Sequence, residues 1–323
     1  MPSGPTIEEV RELQGRLRQW LLETPVMRCR NLEQALDTDA EIWGKLEFLQ
    51  QTGTFKPRGA LSVALSLTAD QRAAGITAVS AGNHAIAASF AARAIGTSAK
   101  VVMIGTASPA RIAAAKEYGA EVVLCDTVHE AFAMAEEISR AEGRFLIHPF
   151  EGPRVAAGTA TVGLEICEQI GDFDVLICPI GGGGLCGGIS TVVRQLKPDC
   201  TIYGVEPAGA NSMQLSIRSG EPRQLETVDT IADSLGAPYA LPYSFERCRQ
   251  NVDDVVLIND AGLREAMRLL FREMKFAVEP ACAATTAAIA EPLRDAIKGK
   301  KVVLVFCGSN IDHATYLSQA ALT

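Results

Sequence analysis

Four short stretches of this chain place reactive side chains or bare backbone close to a helix start, three of them straight after an apolar run. In TGTFKPRGA, residues 52–60, Lys56 stands between Phe55 and Pro57 at the head of a helical pattern. A cation is mildly disfavoured at the positive end of a helix dipole, so the position calls for a reason. Among apolar neighbours a lysine loses solvation, which favours the neutral amine and makes it a nucleophile toward a carbonyl. In PIGGGGL, the run Gly181, Gly182, Gly183, Gly184 and Leu185 follows an apolar strand pattern. Glycines let the backbone approach an anion, and a following helix start adds free N–H groups and a favourable dipole. The run is neither GxGxxG nor a nucleotide P-loop, and a compact phosphate fits it better than a triphosphate. In SAGNHA, Ser80, Ala81, Gly82, Asn83 and His84 offer open backbone N–H groups to a carboxylate, and Asn83 offers an amide to a phenolic oxygen. In FCGSN, Cys307 closes a strand where a weak thiol can face a ring nitrogen.

Taken singly, each stretch has an ordinary explanation: a surface lysine, a flexible loop, a helix cap, a packed thiol. Together an amine, a phosphate cradle, a carboxylate loop and a partner for a ring nitrogen describe a pyridoxal phosphate site.

The elements that must hold these pieces are legible from about residue 76 onward. Short β-branched runs alternate with longer helical patterns: ITAVSA, KVVMIG, EVVLCD, FLIHP, DVLICPI, TIYGVEP and KKVVLVFC are separated by alanine-rich or charged helical stretches. That alternation predicts parallel sheets covered on both faces, and runs as apolar as VLICPI and VVLVFC suit strands buried on both sides. Gly96, Gly119 and Gly143 read as helix stops. Residues 221–242 form the longest irregular segment, a kind often functional in compact domains.

Composition narrows the classes. The 323 residues carry a net charge of -8 without long like-charged runs, which argues against a nucleic-acid surface or an anionic membrane as partner. No apolar run reaches the roughly 18 residues of a membrane span, and the N-terminus does not read as a secretory leader. Nine cysteines without a CxxC pair read as free thiols in a reducing compartment, so a cytoplasmic protein is expected.

The blocks TGTFKPRGA, SAGNHA, GAEVVL, IHPFEGP, GLEI, PIGGGGL, GVEP, VEPACAA and FCGSN span residues 52–310. In combination they resemble the threonine and serine dehydratases, with serine racemase, among the pyridoxal-phosphate enzymes of tryptophan synthase β-like fold. The resemblance implies an α/β protein of two lobes, open twisted and mainly parallel sheets flanked by helices. Residues 69–150 would form the small lobe, and 1–68 with 151–323 the large cofactor-binding lobe. Lys56 would carry pyridoxal 5'-phosphate as a Schiff base, with Phe55 against the ring. Asn83 would bond its 3-oxygen, residues 181–185 its phosphate, and Cys307 would face its nitrogen. The substrate carboxylate would lie on the loop from Ser80 to His84. The implied reaction is α,β-elimination of water from threonine or serine, giving a 2-oxo acid and ammonia, with phenylserine or 3-hydroxyaspartate as close variants. A homodimer is the family's usual state.

Departures from the family pattern sharpen this. Ala81 replaces the serine that racemases use as an acid/base, so racemisation is disfavoured. In EPAGANS the racemase metal site retains Glu206 but has Ser212 for its aspartate, which leaves room for a monovalent cation near Glu206 and the Ala210 carbonyl. The usual ADG reads ADS at Asp233 and Ser234, and the usual GQGT reads GTAT at residues 158–161. Both are expected at the pocket wall, where they would affect substrate choice. The stretch after FCGSN is too short for a regulatory domain, so feedback inhibition is not expected.

Overall fold

The computed structural model describes residues 3–80, 82–105 and 107–321. Ten strands form two sheets: β1 (Val26–Arg28), β2 (Glu41–Leu46), β3 (Ile76–Val79), β4 (Ala99–Ile104), β5 (Glu121–Cys125), β6 (Phe145–Leu146), β7 (Val175–Pro179), β8 (Thr201–Pro207), β9 (Asp254–Ile258) and β10 (Lys301–Phe306). The six-stranded sheet runs β1-β2-β10-β7-β8-β9, and the four-stranded sheet β5-β4-β3-β6. Every described pairing is parallel except β1 with β2.

The apolar runs sit where their composition sends them. In β10, Val302 to Phe306 are completely buried, and all five residues of β7 are buried, since helices cover both faces of the six-stranded sheet at its centre. Gly96 and Gly143 end their helices in the left-handed conformation. Three strands carry no clear sequence signal. β2, EIWGKL, has charged residues near both ends and a glycine in its middle; β1 is three residues long; β9, DVVLI, is a five-residue run only two residues after a helix, Pro242–Asn251. FLIHP yields a strand of only two residues. All nine cysteines are free, and all but Cys125 are buried. Among the described residues no helix is long and apolar enough to cross a membrane.

Parallel order aligns the strand ends. β3, β7 and β10 all deliver their carboxyl ends to the same region, and the loops after them carry Ser80, the glycine run and Cys307. A helix follows β3 (Asn83–Ile95) and another follows β7 (Gly184–Leu196), each beginning at the loop.

Candidate active site

Lys56 is the first residue of the helix Lys56–Ala64, with Phe55 before it and Pro57 setting the first turn. The approach to it is pinned to the end of β10. Phe55 N donates to the Cys307 carbonyl at 3.1 Å, Ser309 N donates to the Gly53 carbonyl at 3.0 Å, and Thr54 bridges Gly308. A lysine and a cysteine 251 positions apart in number thereby line one cavity, together with Phe55, Asn83, the glycine run and Glu279. A neighbouring cleft of about 290 Å³ shares Lys56, Asn83 and Phe150 and extends past Ser80 and Gly82.

The amine has few partners. Lys56 Nζ donates to the Pro149 carbonyl at 2.9 Å and lies 5.1 Å from the Phe55 ring centre. Burial pushes its pKa down to about 8, only partly opposed by the nearby Cys307 and Glu279. A sizeable neutral fraction near physiological pH follows. The Cys307 thiol goes the other way: its hydrogen bonding with Cys282 and its burial hold it well above the usual thiol range, so it stays protonated.

The glycine run makes an open anion seat. Gly183 has a φ of 88°, and a side chain on Gly182 would strike the Phe150 ring, with its Cβ 2.3 Å from the ring carbon. The Gly184–Leu196 helix begins there with no side-chain cap, so its first N–H groups face the cavity side without a protein partner from a cap. Phe150, which floors the run, is itself positioned by His148, whose Nδ1 accepts from Phe150 N at 3.3 Å and Glu151 N at 3.0 Å. Burial and the Lys56 charge lower His148 to about 4, consistent with its accepting role.

The other expected residues fall into place unevenly. Ser80, Gly82 and Asn83 line the cleft, while Ala81 lies outside the described residues. His84 borders the cleft, but its Nε2 is paired with the Ile147 carbonyl at 2.8 Å, and burial followed by the Lys56 charge lowers its pKa to about 3. The His84 ring is therefore not free to meet an anion. Ser234 lines both spaces. The GTAT block does not: Thr159 is buried and donates to the Gly184 carbonyl at 2.7 Å, bracing the glycine run from behind, and Thr161 accepts from Arg58 at 3.0 Å. The expectation that this block forms pocket wall is corrected. A Cβ on Gly158 would lie 2.3 Å from the Arg58 carbonyl, so this helix packs directly on the Lys56 helix, and its two threonines are consumed by Arg58 and by the glycine run.

Glu206 caps a helix. Its Oε1 and Oε2 accept from Met213 N at 2.9 Å and Gln214 N at 2.8 Å, at the start of the helix Ser212–Ser219, and Ser212 donates to the Ala237 carbonyl instead of facing Glu206. Among the described residues no group of three or more His, Cys, Asp or Glu side chains is placed to hold a metal ion.

Sequence reasoning passed over the groups that join the two sheets. Arg111, on the helix Pro109–Glu117, pairs with Asp233, donates to the Asn310 carbonyl at 3.0 Å, and lies 3.5 Å from Glu279. Glu279 is buried, and burial lifts its carboxyl to about 7 against the pull of Arg111. Its position before Pro280 in VEPACAA was the available signal, because a carboxylate there normally caps the helix. Here it caps nothing and turns into the cavity.

A bare glycine cradle at an uncapped helix start, a weakly partnered amine and an aromatic floor fit a phosphorylated aldehyde cofactor. Comparison with known proteins agrees. Residues 17–308 match the family model described as pyridoxal-phosphate dependent enzyme. The chain is 49% identical over 318 residues, 98% of its length and 97% of the relative's, to the phenylserine dehydratase of Ralstonia pickettii. It is 36% identical to the catabolic L-threonine dehydratase of Escherichia coli, covering 95% of this chain and 93% of the other. Among solved structures, maize serine racemase superposes with a TM-score of 0.91 at 30% identity, over 98% of each chain.

Proposed function

The chain belongs to the pyridoxal-phosphate dependent enzymes, and from that premise we propose that it is a dehydratase for an L-3-hydroxy amino acid whose third carbon carries an aryl group. One observation carries the choice of substrate. Besides the polar loop, the lining of the cleft beside Lys56 includes Val79, Ile104, Ala131, Phe132 and Pro238, apolar surface that a hydroxymethyl or hydroxyethyl substrate would leave largely unfilled. Threonine and serine, the expectation from motif resemblance, share the chemistry but not this complement. The identity to a phenylserine dehydratase supports the same reading.

In this reading Lys56 would hold the cofactor, residues 181–185 would seat its phosphate with backbone N–H groups, and Phe55 and Cys307 would border its ring. The bound cofactor supplies a sink for the negative charge that develops when Cα loses its proton. Lys56 is the base that takes that proton, because burial leaves its amine substantially neutral near pH 8. The Ser80–His84 loop orients the substrate carboxylate so that the Cα–H bond faces Lys56. The C3–oxygen bond then breaks, the hydroxyl leaves as water with the proton that Lys56 took from Cα, and the released enamine hydrolyses to a 2-oxo acid and ammonia. We further infer that residues 69–150 act as a small lobe over residues 1–68 and 151–323, that the enzyme works as a homodimer, and that it is cytoplasmic, as its free thiols suggest. The caps on both Glu206 oxygens account for that carboxylate without calling on a monovalent cation.

The test is a panel of phenylserine, threonine, serine and 3-hydroxyaspartate with 2-oxo acid release as readout. We expect kcat/KM for phenylserine to exceed that for threonine by about tenfold or more. The reverse order would remove the aryl assignment, and silence with every substrate would remove the dehydratase.

A further inference from the structure

A hydrogen-bonded chain beside the cleft runs with a single polarity. It starts at the backbone carbonyl of Thr52, which accepts from Asn310 Nδ2 at 2.7 Å. The same Nδ2 donates to Asn83 Oδ1 at 2.9 Å, which uses both of its hydrogens. Asn83 Nδ2 in turn donates toward Glu279, 2.9 Å from Oε1 and 3.0 Å from Oε2, and lies 3.1 Å from Ser234 Oγ. A carbonyl only accepts, so Thr52 dictates which edge of Asn310 faces it, and Asn310 dictates which edge of Asn83 faces inward. Were the Asn83 amide reversed, its NH₂ would oppose that of Asn310 and its oxygen would oppose a carboxylate.

The backbone is bent to build this chain. Thr52 has a φ of 67°, a left-handed conformation costly for a β-branched residue. Next to it Gly53 has a φ of 72°, and a Cβ there would lie 2.5 Å from Asn310 Oδ1. At the far end, Glu279 forgoes capping its own helix. Arg111 and Asp233 face it from one side, and Lys56 and Cys307 lie across the cavity. Burial lifts its carboxyl to about 7, so both protonation states occur at physiological pH.

We propose that Glu279 and Asn310 are positioning residues that lock the Asn83 amide with its N–H edge into the cavity that Lys56 also lines, one hydrogen held by Glu279 and the other, now toward the Ser234 hydroxyl, open to an oxygen on the cofactor ring. The proposal rests on reading the cleft as the cofactor site. When Glu279 takes up a proton, one of its oxygens stops accepting, and its hold on Asn83 relaxes. The surroundings of the bound cofactor therefore change as pH falls through the range of this carboxyl.

The experiment follows the visible absorbance of cofactor-loaded enzyme from pH 5.5 to 8.5 (about a unit and a half either side of neutrality) for wild type, Glu279→Gln, Glu279→Asp and Asn310→Ala. Thermal unfolding of each is recorded beside it. Wild type should show a spectral step near neutrality. Glu279→Gln should keep its cofactor and melting temperature but lose the step, and Glu279→Asp should restore it. Asn310→Ala should bind the cofactor about tenfold more weakly, as expected for one lost orienting contact. A step of unchanged position in Glu279→Gln would overturn the proposal, as would unaltered cofactor affinity in Asn310→Ala. A wild type that takes up no cofactor would overturn the functional reading as well, which separates the two failures.

Discussion

Lys56 and Arg58 leave one helix two residues apart and meet opposite fates. About 200° of helical rotation separates them, so one side chain enters the cavity and the other the protein interior. Arg58 is saturated. Its Nε donates to Glu47 Oε2 at 2.7 Å, its Nη1 to Glu165 Oε1 at 2.6 Å, and its Nη2 to Glu47 Oε1 at 2.8 Å and Glu165 Oε2 at 2.8 Å. Lys45 joins from β2, donating to Glu165 at 2.6 Å, so two cations meet two carboxylates and the cluster is neutral. Burial alone would lower the Arg58 pKa, but Glu47 and Glu165 outweigh it and keep the guanidinium charged. Lys56 has one neutral acceptor in the Pro149 carbonyl, and there burial wins. The lesson is that burial of a cation decides nothing until its partners are counted. With every donor matched the charge holds the fold; with one weak partner it becomes an amine ready for chemistry.

Changing the two cations separates these roles. Lys56→Ala should reduce turnover by about 10³-fold or more, with its visible cofactor band lost and its melting temperature little changed. A variant that stays active would erase the contrast. Arg58→Met should do the converse, leaving Glu47 and Glu165 buried without their main partner and lowering stability by about 3–5 kcal/mol in denaturant unfolding. A loss under about 1 kcal/mol would mean that the network is not holding the helix.

The smallest effect sharpens the comparison through pH. In cofactor-free protein the folded Lys56 amine titrates near 8, against 10.5 for an ordinary lysine. The folded state therefore binds fewer protons than the unfolded state between those values, and stability from this group rises with pH across that window. The burden of a buried ammonium is full below about 8 and gone above about 10.5. Lys56→Met should accordingly raise the melting temperature at neutral pH, and the gain should shrink as pH approaches the upper value. A gain that does not vary with pH would assign it to packing.

How far the sequence could be read follows the same division. Lys56, the SAGNHA loop, the glycine run and Cys307 were legible because each is a local event, a few residues at the start of a helix or just past the end of a strand. Arg58 was not, since its carboxylate partners include Glu165, 107 positions away, and nothing in KPRG announces the pairing. The same holds for Arg111, Glu279 and Asn310, whose partners come from different elements of the chain. Thr159 was misplaced because a motif comparison locates a residue along the chain but not which face of its helix packs inward; here that face meets the glycine run. Strands β1, β2 and β9 escaped for a related reason, as their identity depends on the neighbours they pair with more than on their own composition.

The central claim, that the weakly partnered amine at the head of this helix is the one that carries the cofactor, has a direct test. The pyridoxal phosphate-loaded protein is reduced with borohydride, digested, and searched by mass spectrometry for the lysine that bears the added group. The account predicts the label on the peptide containing Lys56 and its absence from the peptide containing Lys45, whose amine is spent on Glu165 and Thr24. A label on any other lysine, with Lys56 unmodified, would contradict it.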